Sequence, residues 1–165
     1  MGDRIEENRF EQLLAEYEGP LRRLAGAYER DAELQKDLVQ EIRVALWRAL
    51  RGFRGQCSER TFVYRVAHNR ALTHVARRHP EQLSLEEAPE IADARPDPEQ
   101  AAAKSEEHAE LRARVERLPM TLRQVVMLAL EGLSNAEIGE VLGIGEGNVA
   151  VRLTRARKLL KEGAR

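Results

Sequence analysis

The chain holds 165 residues, 42% hydrophobic but only 4% aromatic, which suits one domain or two small ones with a core of Leu, Val, Ile and Ala. Its single cysteine, Cys57, excludes an internal disulfide and a cysteine-rich zinc site. The net charge of −1 conceals blocks: residues 48–80 set eight arginines against one glutamate (+7), residues 81–110 set two basic against ten acidic groups (−8), and residues 143–165 set six basic against two acidic (+4), so a polyphosphate partner would meet two separate cationic segments.

Phe10, Leu13, Leu14 and Tyr17 share a helical face that Gly19-Pro20 is expected to interrupt; Leu21, Leu24, Ala25 and Tyr28 continue the stripe beyond it. Asp31 can cap a second helix, in which Leu34, Leu38, Ile42, Leu46 and Leu50 recur every fourth position and which Gly52 ends. Phe53 to Arg60 reads as a polar loop. Thr61 is an acceptable N-cap for a third helix, traced by Phe62, Val66, Asn69, Leu72, Thr73 and Val75 and closed by Pro80. Pro80, Pro89, Pro96 and Pro98 amid acids then mark a linker too polar to pack. Helix resumes near Glu99, with Leu111, Val115 and Leu118 as an apolar edge before Pro119. The predicted architecture is all-α: two small helical domains, residues 1–80 and 105–165, joined by an acidic, proline-containing flexible linker over residues 81–104.

The last third is the best punctuated. Leu122 to Glu131 forms a helix that stops at Gly132, with Thr121 and Gln124 as its capping box. Ser134 to Leu142 forms a short second helix, opened by a Ser134–Glu137 capping box. Gly132 and Gly143 sit where left-handed C-caps belong. A turn over Gly143 to Asn148, with Gly145 or Asn148 as cap, leads into a third helix from Val149 to Lys161 that carries Arg152, Arg155, Arg157, Lys158 and Lys161. Ile138, Val141 and Leu142 should pack on Val125, Leu128, Val149 and Leu153. Two short helices joined by a tight glycine turn, the second one basic, form the layout of a helix-turn-helix that lays one helix in a DNA groove.

Over residues 9–162 the chain resembles the sigma factors of bacterial RNA polymerase, in particular the extracytoplasmic-function (ECF, group IV) class. The likeness rests on Asp37 through Trp47, Phe53-Arg54-Gly55 and Thr61 through Asn69 in the first half. In the second half it rests on Leu118-Pro119, Leu133 through Ile138, Val141 through Ile144 and Arg155-Ala156-Arg157. It implies a region 2-like first domain that binds the clamp helices of core RNA polymerase and recognises and melts the minus-ten promoter element. It implies a region 4-like second domain that reads the minus-thirty-five element and touches the polymerase flap. RNA synthesis itself is left to the polymerase. The implied role is transcription initiation at promoter DNA, for a stress or envelope-signal regulon, in the cytoplasm.

By the same resemblance, Asp37, Gln40, Glu41, Arg43 and Trp47 would bind polymerase, although Trp47 suits either an interface anchor or the core. Arg54, Gln56, Ser58, Arg60, Arg65, Asn69, Arg70, Arg77 and Arg78 would serve the minus-ten DNA, as a cationic track beside a pocket for an unstacked base. Phe62 and Tyr64 suit base stacking or the core. Ser134, Asn148, Ala150, Val151, Arg152, Arg155 and Lys158 would serve the minus-thirty-five DNA. Here the chain departs from its relatives, which usually show a Ser-Pro-Gly-Thr-Val turn where Gly145-Glu146-Gly147-Asn148-Val149 stands. The polar pair that usually follows is Ala150-Val151, which cannot donate to base edges but can touch thymine methyls. Weak or unusual minus-thirty-five reading is therefore expected. Phe62 and Thr73 stand where relatives often carry Trp and Asp. The family also suggests an anti-sigma partner sandwiched between the domains, which nothing in the chain identifies.

Other classes fit less of the chain. His68, His74, His79 and His108 offer no i,i+4 metal pair, and there is no glycine-rich phosphate loop or nucleophile elbow, so no catalytic residue, metal, cofactor or small-molecule substrate is expected. A polymerase-independent helix-turn-helix regulator would explain residues 111–165 but leave 34–79 without a role. No apolar run approaches the roughly 20 residues that span a bilayer, and the N-terminus has no signal-peptide stretch, so no membrane insertion is expected. The acidic linker is expected to lie against the basic segments and suppress DNA binding by the free chain.

Overall fold

The computed structural model describes residues 2–83 and 103–163; most of the predicted linker, and the expected resumption of helix at Glu99, lie outside them. Among the described residues there are eight helices and no strand: α1 (Gly2–Tyr28), α2 (Ala32–Leu50), α3 (Glu59–Arg78), α4 (Pro80–Leu83), α5 (Ala103–Glu116), α6 (Met120–Leu130), α7 (Asn135–Leu142) and α8 (Glu146–Glu162).

Helices α1 to α3 form a three-helix bundle. Leu21 and Leu24 of α1, Leu38, Ile42 and Leu46 of α2, and Val63 and Val75 of α3 are almost fully shielded. Each such side chain contributes about 1.5–3 kcal/mol by leaving water. The four-residue period of α2 is observed, with Leu34 only half-buried at the start. Asp31 caps that helix as expected, its carboxylate accepting from the Glu33 and Leu34 amides.

Two boundaries in this bundle differ from expectation. Pro20 lies inside a continuous α1 rather than interrupting it. Proline removes one i→i−4 hydrogen bond, but the buried Tyr17, Leu21, Leu24 and Ala25 bracket it and hold the helix in one piece. Ser58, not Thr61, caps α3: its side chain accepts from the Thr61 amide, so the preceding loop is shorter than predicted. The buried face of α3 includes His68 and His74 with Tyr64, while Asn69 and Thr73 face outward.

Helices α6 to α8 form the helix-turn-helix. Met120 follows Pro119 directly and no side chain caps α6, so the Thr121–Gln124 box does not form. Ser134 caps α7 through the Glu137 amide. Gly132 and Gly143 take the left-handed conformation, with φ of 86° and 70°. Helix α8 begins at Glu146 after Gly145, earlier than predicted, and Asn148 lies in its first turn instead of capping it. Ile138, Val141, Val149 and Leu153 are buried in the same core as Val125 and Leu128.

The apolar cores of the two bundles merge into one, and arginines exchanged across the join fix their orientation. Arg123 of α6 donates to Ala27 O (2.9 Å) at the end of α1 and to Leu118 O (3.0 Å). Arg30 donates to Glu116 O (2.6 Å) at the end of α5. Both reach the carbonyl-rich, partially negative C-terminus of a helix, where a cation is favoured.

Candidate nucleic-acid interface

The outer face of α2 is split three ways. Asp37 and Gln40 are exposed, and Val44, which periodicity places beside them, is 49% exposed. Arg43 and Trp47 turn toward α1. Arg43 lies 3.5 Å from Glu18, and the half-buried Trp47 meets Phe10 edge-to-face at 5.0 Å under the Arg51 guanidinium. Glu41 turns toward α3, where Oε1 accepts from Arg77 (3.0 Å) and Oε2 faces Arg70 (3.5 Å). Sequence reading does not single out Val44, an apolar residue among charges; its offset from the 38/42/46/50 stripe is the available signal.

The basic block around α3 is largely partnered. Phe53 and Phe62 stack at 4.3 Å with Arg9 over the Phe53 ring, and Tyr64 is buried edge-on to Tyr17. Burial pushes the hydroxyls of Tyr17 and Tyr64 above the usual tyrosine range. Gln56 folds its side-chain carbonyl onto the Arg54 amide (2.9 Å), Arg54 donates to Arg51 O (3.2 Å), and Gly55 turns the loop with φ 78°. Arg60 pairs with Glu137 of α7, and Arg65 donates to Glu140 O of α7 (3.3 Å). Arg70 and Arg77 share Glu41, whereas Asn69 and Arg78 are exposed.

Beneath that surface lies a buried polar network that sequence reading did not foresee. One oxygen of Glu29 meets His74 Nε2 (2.7 Å) and His79 Nε2 (2.8 Å), while the other accepts from the Asp31 amide (3.1 Å). Burial raises the Glu29 carboxyl, but these hydrogen bonds outweigh it and hold the group below its ordinary range. The Tyr28 hydroxyl pairs with His68 Nδ1, and burial lowers His68 from 6.5 to about 4, so the ring is neutral. Among the described residues no group of three or more His, Cys, Asp or Glu could hold a metal ion.

Helix α8 presents the opposite picture. Val149, Leu153 and Ala156 are buried, which turns Asn148, Ala150, Val151, Arg155 and Lys158 to solvent. Val151 is 52% exposed. Arg152 is half-buried and donates to Asn148 Oδ1 (3.1 Å), a tie along the helix that holds its guanidinium near the N-terminal turn. Ser134 stands exposed at the start of α7. Gly139, another residue sequence reading passed over, makes the turn possible: a Cβ there would lie 2.7 Å from Ile144 O.

A three-helix bundle with a split polar face, joined to a helix-turn-helix with an open basic helix, is matched in known families. Residues 13–80 match the family described as Sigma-70 region 2 and residues 108–160 that described as Sigma-70, region 4. The chain is 30% identical over 161 residues to the RNA polymerase sigma-H factor of Pseudomonas aeruginosa, covering 92% of this chain and 83% of the relative. It is 30% identical over 162 residues to the ECF RNA polymerase sigma-E factor of Haemophilus influenzae, covering 92% and 85%. This chain belongs to the ECF sigma factors of bacterial RNA polymerase. Its fold is similar to that of CnrH solved in complex with the cytosolic domain of CnrY (TM-score 0.68, 25% identity, 94% of this chain and 87% of that one). It is also similar to the sigma factor RpoE of Bartonella quintana solved with the anti-sigma factor NepR (TM-score 0.71, 19% identity, 93% and 95%). The family accounts for both domains, which a regulator built on the helix-turn-helix alone would not. Among the described residues no helix is long and apolar enough to cross a membrane.

Proposed function

We propose that this ECF sigma factor binds core RNA polymerase in the cytoplasm and directs transcription initiation at the promoters of a stress or envelope-signal regulon, without catalysing a reaction itself. The observation that carries the reading is one chain holding both a region 2 bundle and a region 4 helix-turn-helix. In this reading α2 docks on the polymerase clamp helices through Asp37, Gln40 and Val44, the stripe its packing leaves free. Arg43 and Trp47 border that stripe, and Trp47, braced by Phe10, offers one wide face as an anchor.

The loop from Arg54 to Ser58 and the arginines of α3 serve the minus-ten element. Melting needs cations along the displaced strand and a pocket for an unstacked base. Helix α8 serves the minus-thirty-five element, with Arg155 and Lys158 meeting phosphates and Ala150 and Val151 meeting thymine methyls. Hydrophobic contact of that kind discriminates weakly, so promoter choice rests mainly on the minus-ten element. The cleft between the domains, about 490 Å³ and edged by Leu111 and Leu130, suits an anti-sigma segment.

Run-off transcription with purified sigma-free core polymerase on a library of upstream fragments tests this. Transcripts that appear only with the chain are expected, with strong dependence on minus-ten bases and mild dependence on minus-thirty-five bases. Duplex DNA retention without polymerase binding or transcripts would overturn the reading.

A further inference from the structure

The cations proposed for the minus-ten element do not stand free; most meet anions or carbonyls of this same chain. Those of Arg60 and Arg65 come from α7 of the second domain, and a further pair beside them joins the residue after α6 to α1. Glu131, at the end of α6, takes a two-point pair from Arg23 of α1, with Arg23 Nη2 to Glu131 Oε2 at 2.9 Å, and receives the Tyr64 hydroxyl at 3.5 Å. Glu137, in the first turn of α7, pairs with Arg60. The Glu140 carbonyl accepts from Arg65. Hydrogen bonding to Glu131 raises Arg23 further above its already high ordinary range. In a standard capping box the Glu137 carboxylate would reach back to the amide of Ser134. Here it goes to Arg60 of the other domain.

We propose that Glu131 and Glu137 form a clasp that closes the free sigma factor on itself, with Glu137 standing on Arg60 where a promoter phosphate would stand. The proposal rests on the reading of α3 as the minus-ten surface. A carboxylate and a phosphate oxygen make the same charge-assisted bonds to a guanidinium. DNA must therefore displace Glu137 before it can pair with Arg60. The mask is one-sided, because the α8 residues Ala150, Val151, Arg155 and Lys158 remain exposed in this closed form. Masking by folded helices at named positions also differs from the expected screening by the acidic linker, which lies outside the described residues.

The clasp should be weak enough to open. The Arg60–Glu137 side chains are 40% and 32% exposed. Partly exposed pairs of this kind contribute only on the order of 0.2–1 kcal/mol and weaken with salt. That range covers the ion pair alone; the shared apolar core and the Arg123 and Arg30 bonds also hold the join, so loss of one pair shifts the closure only in part.

The test is core-free binding of the full chain to a fluorescent single-stranded oligonucleotide carrying the non-template minus-ten sequence, at low salt, with small-angle scattering of each variant. Arg23→Gln removes a cation, so simple electrostatics predicts weaker binding. The clasp predicts tighter binding, about threefold, with a larger radius of gyration. Glu137→Gln should tighten binding by a similar factor, and Glu140→Gln, the same charge change three residues on at an exposed side chain, should not.

Binding weakened or unchanged in Arg23→Gln overturns the clasp, as does equal tightening in Glu137→Gln and Glu140→Gln. Expansion without tighter binding overturns the masking role. Run-off transcription by the wild-type chain is scored separately: its failure overturns the sigma reading itself, whatever the scattering shows.

Discussion

The two basic surfaces of this chain, proposed to meet DNA, offer their charge differently. Around α3, Arg60, Arg65, Arg70 and Arg77 each have an acidic or carbonyl partner. Along α8, Arg155 and Lys158 are exposed. A cationic block in a sequence therefore measures how much charge is present, not how much is available. The +7 block is offset by acids that lie far away in sequence, on α2 and α7. The first surface also rests on buried ionisable groups, whereas the core under α8 is Val149, Leu153 and Ala156.

Acid should separate the two surfaces most strongly. His68 titrates near 4 in the folded chain against 6.5 when unfolded. The neutral ring is the form that fits, so its stabilising effect is complete above about pH 6.5 and is lost as pH falls toward 4. That shift corresponds to about 3 kcal/mol. Glu29, held below its ordinary range, adds loss in the same direction at the lower end of the window. Denaturant titration followed by the fluorescence of Trp47, which sits in the first bundle, should show this fall. Hydrogen exchange should show α1–α3 losing protection before α6–α8. In His68→Asn the slope between pH 6.5 and 4 should flatten; an unchanged slope would remove His68 as its cause.

Breaking the other side requires a different lever. Gly139→Ala puts a methyl group 2.7 Å from Ile144 O, a backbone atom that moves only if the whole turn moves. The expected cost is about 2 kcal/mol, of the overpacking kind. The loss should be largest in α6–α8, and duplex binding through α8 should fall with it. A variant as stable as the parent would show that residues 144–146 can yield freely.

Much of this architecture was legible beforehand for identifiable reasons. The all-α class, the four-residue stripe of α2, the Asp31 and Ser134 caps and the left-handed glycines follow from local rules, and local rules can be read from neighbours in sequence. What escaped was of two kinds: choices between neighbouring residues that only packing decides, and contacts with distant partners. Pro20 stays helical because Tyr17, Leu21 and Leu24 are buried together. Thr61 is not a cap because Ser58, three residues earlier, takes that role. Gly139 matters only once the turn after α7 folds back and sets Ile144 O against it. The Glu29–His74–His79 network joins the end of α1 to α3 and its C-cap, with Glu29 and His74 45 positions apart. The candidate site residues divide in the same way: α8 exposure follows from helical period, while the pairing of Arg60 and Arg65 with α7 requires knowing what packs on α3.

A smaller change probes the masked side from within its own domain. Glu41 ties Arg70 and Arg77, and His74 Nδ1 lies 3.9 Å from Glu41 Oε2. Glu41→Gln should release both arginines and tighten core-free binding of the single-stranded probe about twofold, the size expected for exposed pairs. Circular dichroism should show an unchanged bundle. Weaker binding would mean that Glu41 positions these arginines for DNA rather than withholding them.

The mildest test belongs to the open surface, and it asks whether exposure there means base reading. Arg155→Ala should weaken duplex binding at all sequences alike and lower the slope of log affinity against log salt by about one, the signature of one lost phosphate contact. Val151→Ala should leave that slope unchanged and instead reduce any preference for thymine, because a shorter side chain surrenders methyl contact without altering charge. If Arg155→Ala changes base preference at one position, Arg155 reads a base edge, and the open helix is a more selective reader than Ala150-Val151 suggests. If neither variant changes preference, α8 only anchors the duplex. Discrimination would then rest with the α3 side, the surface whose arginines this chain mostly pairs internally.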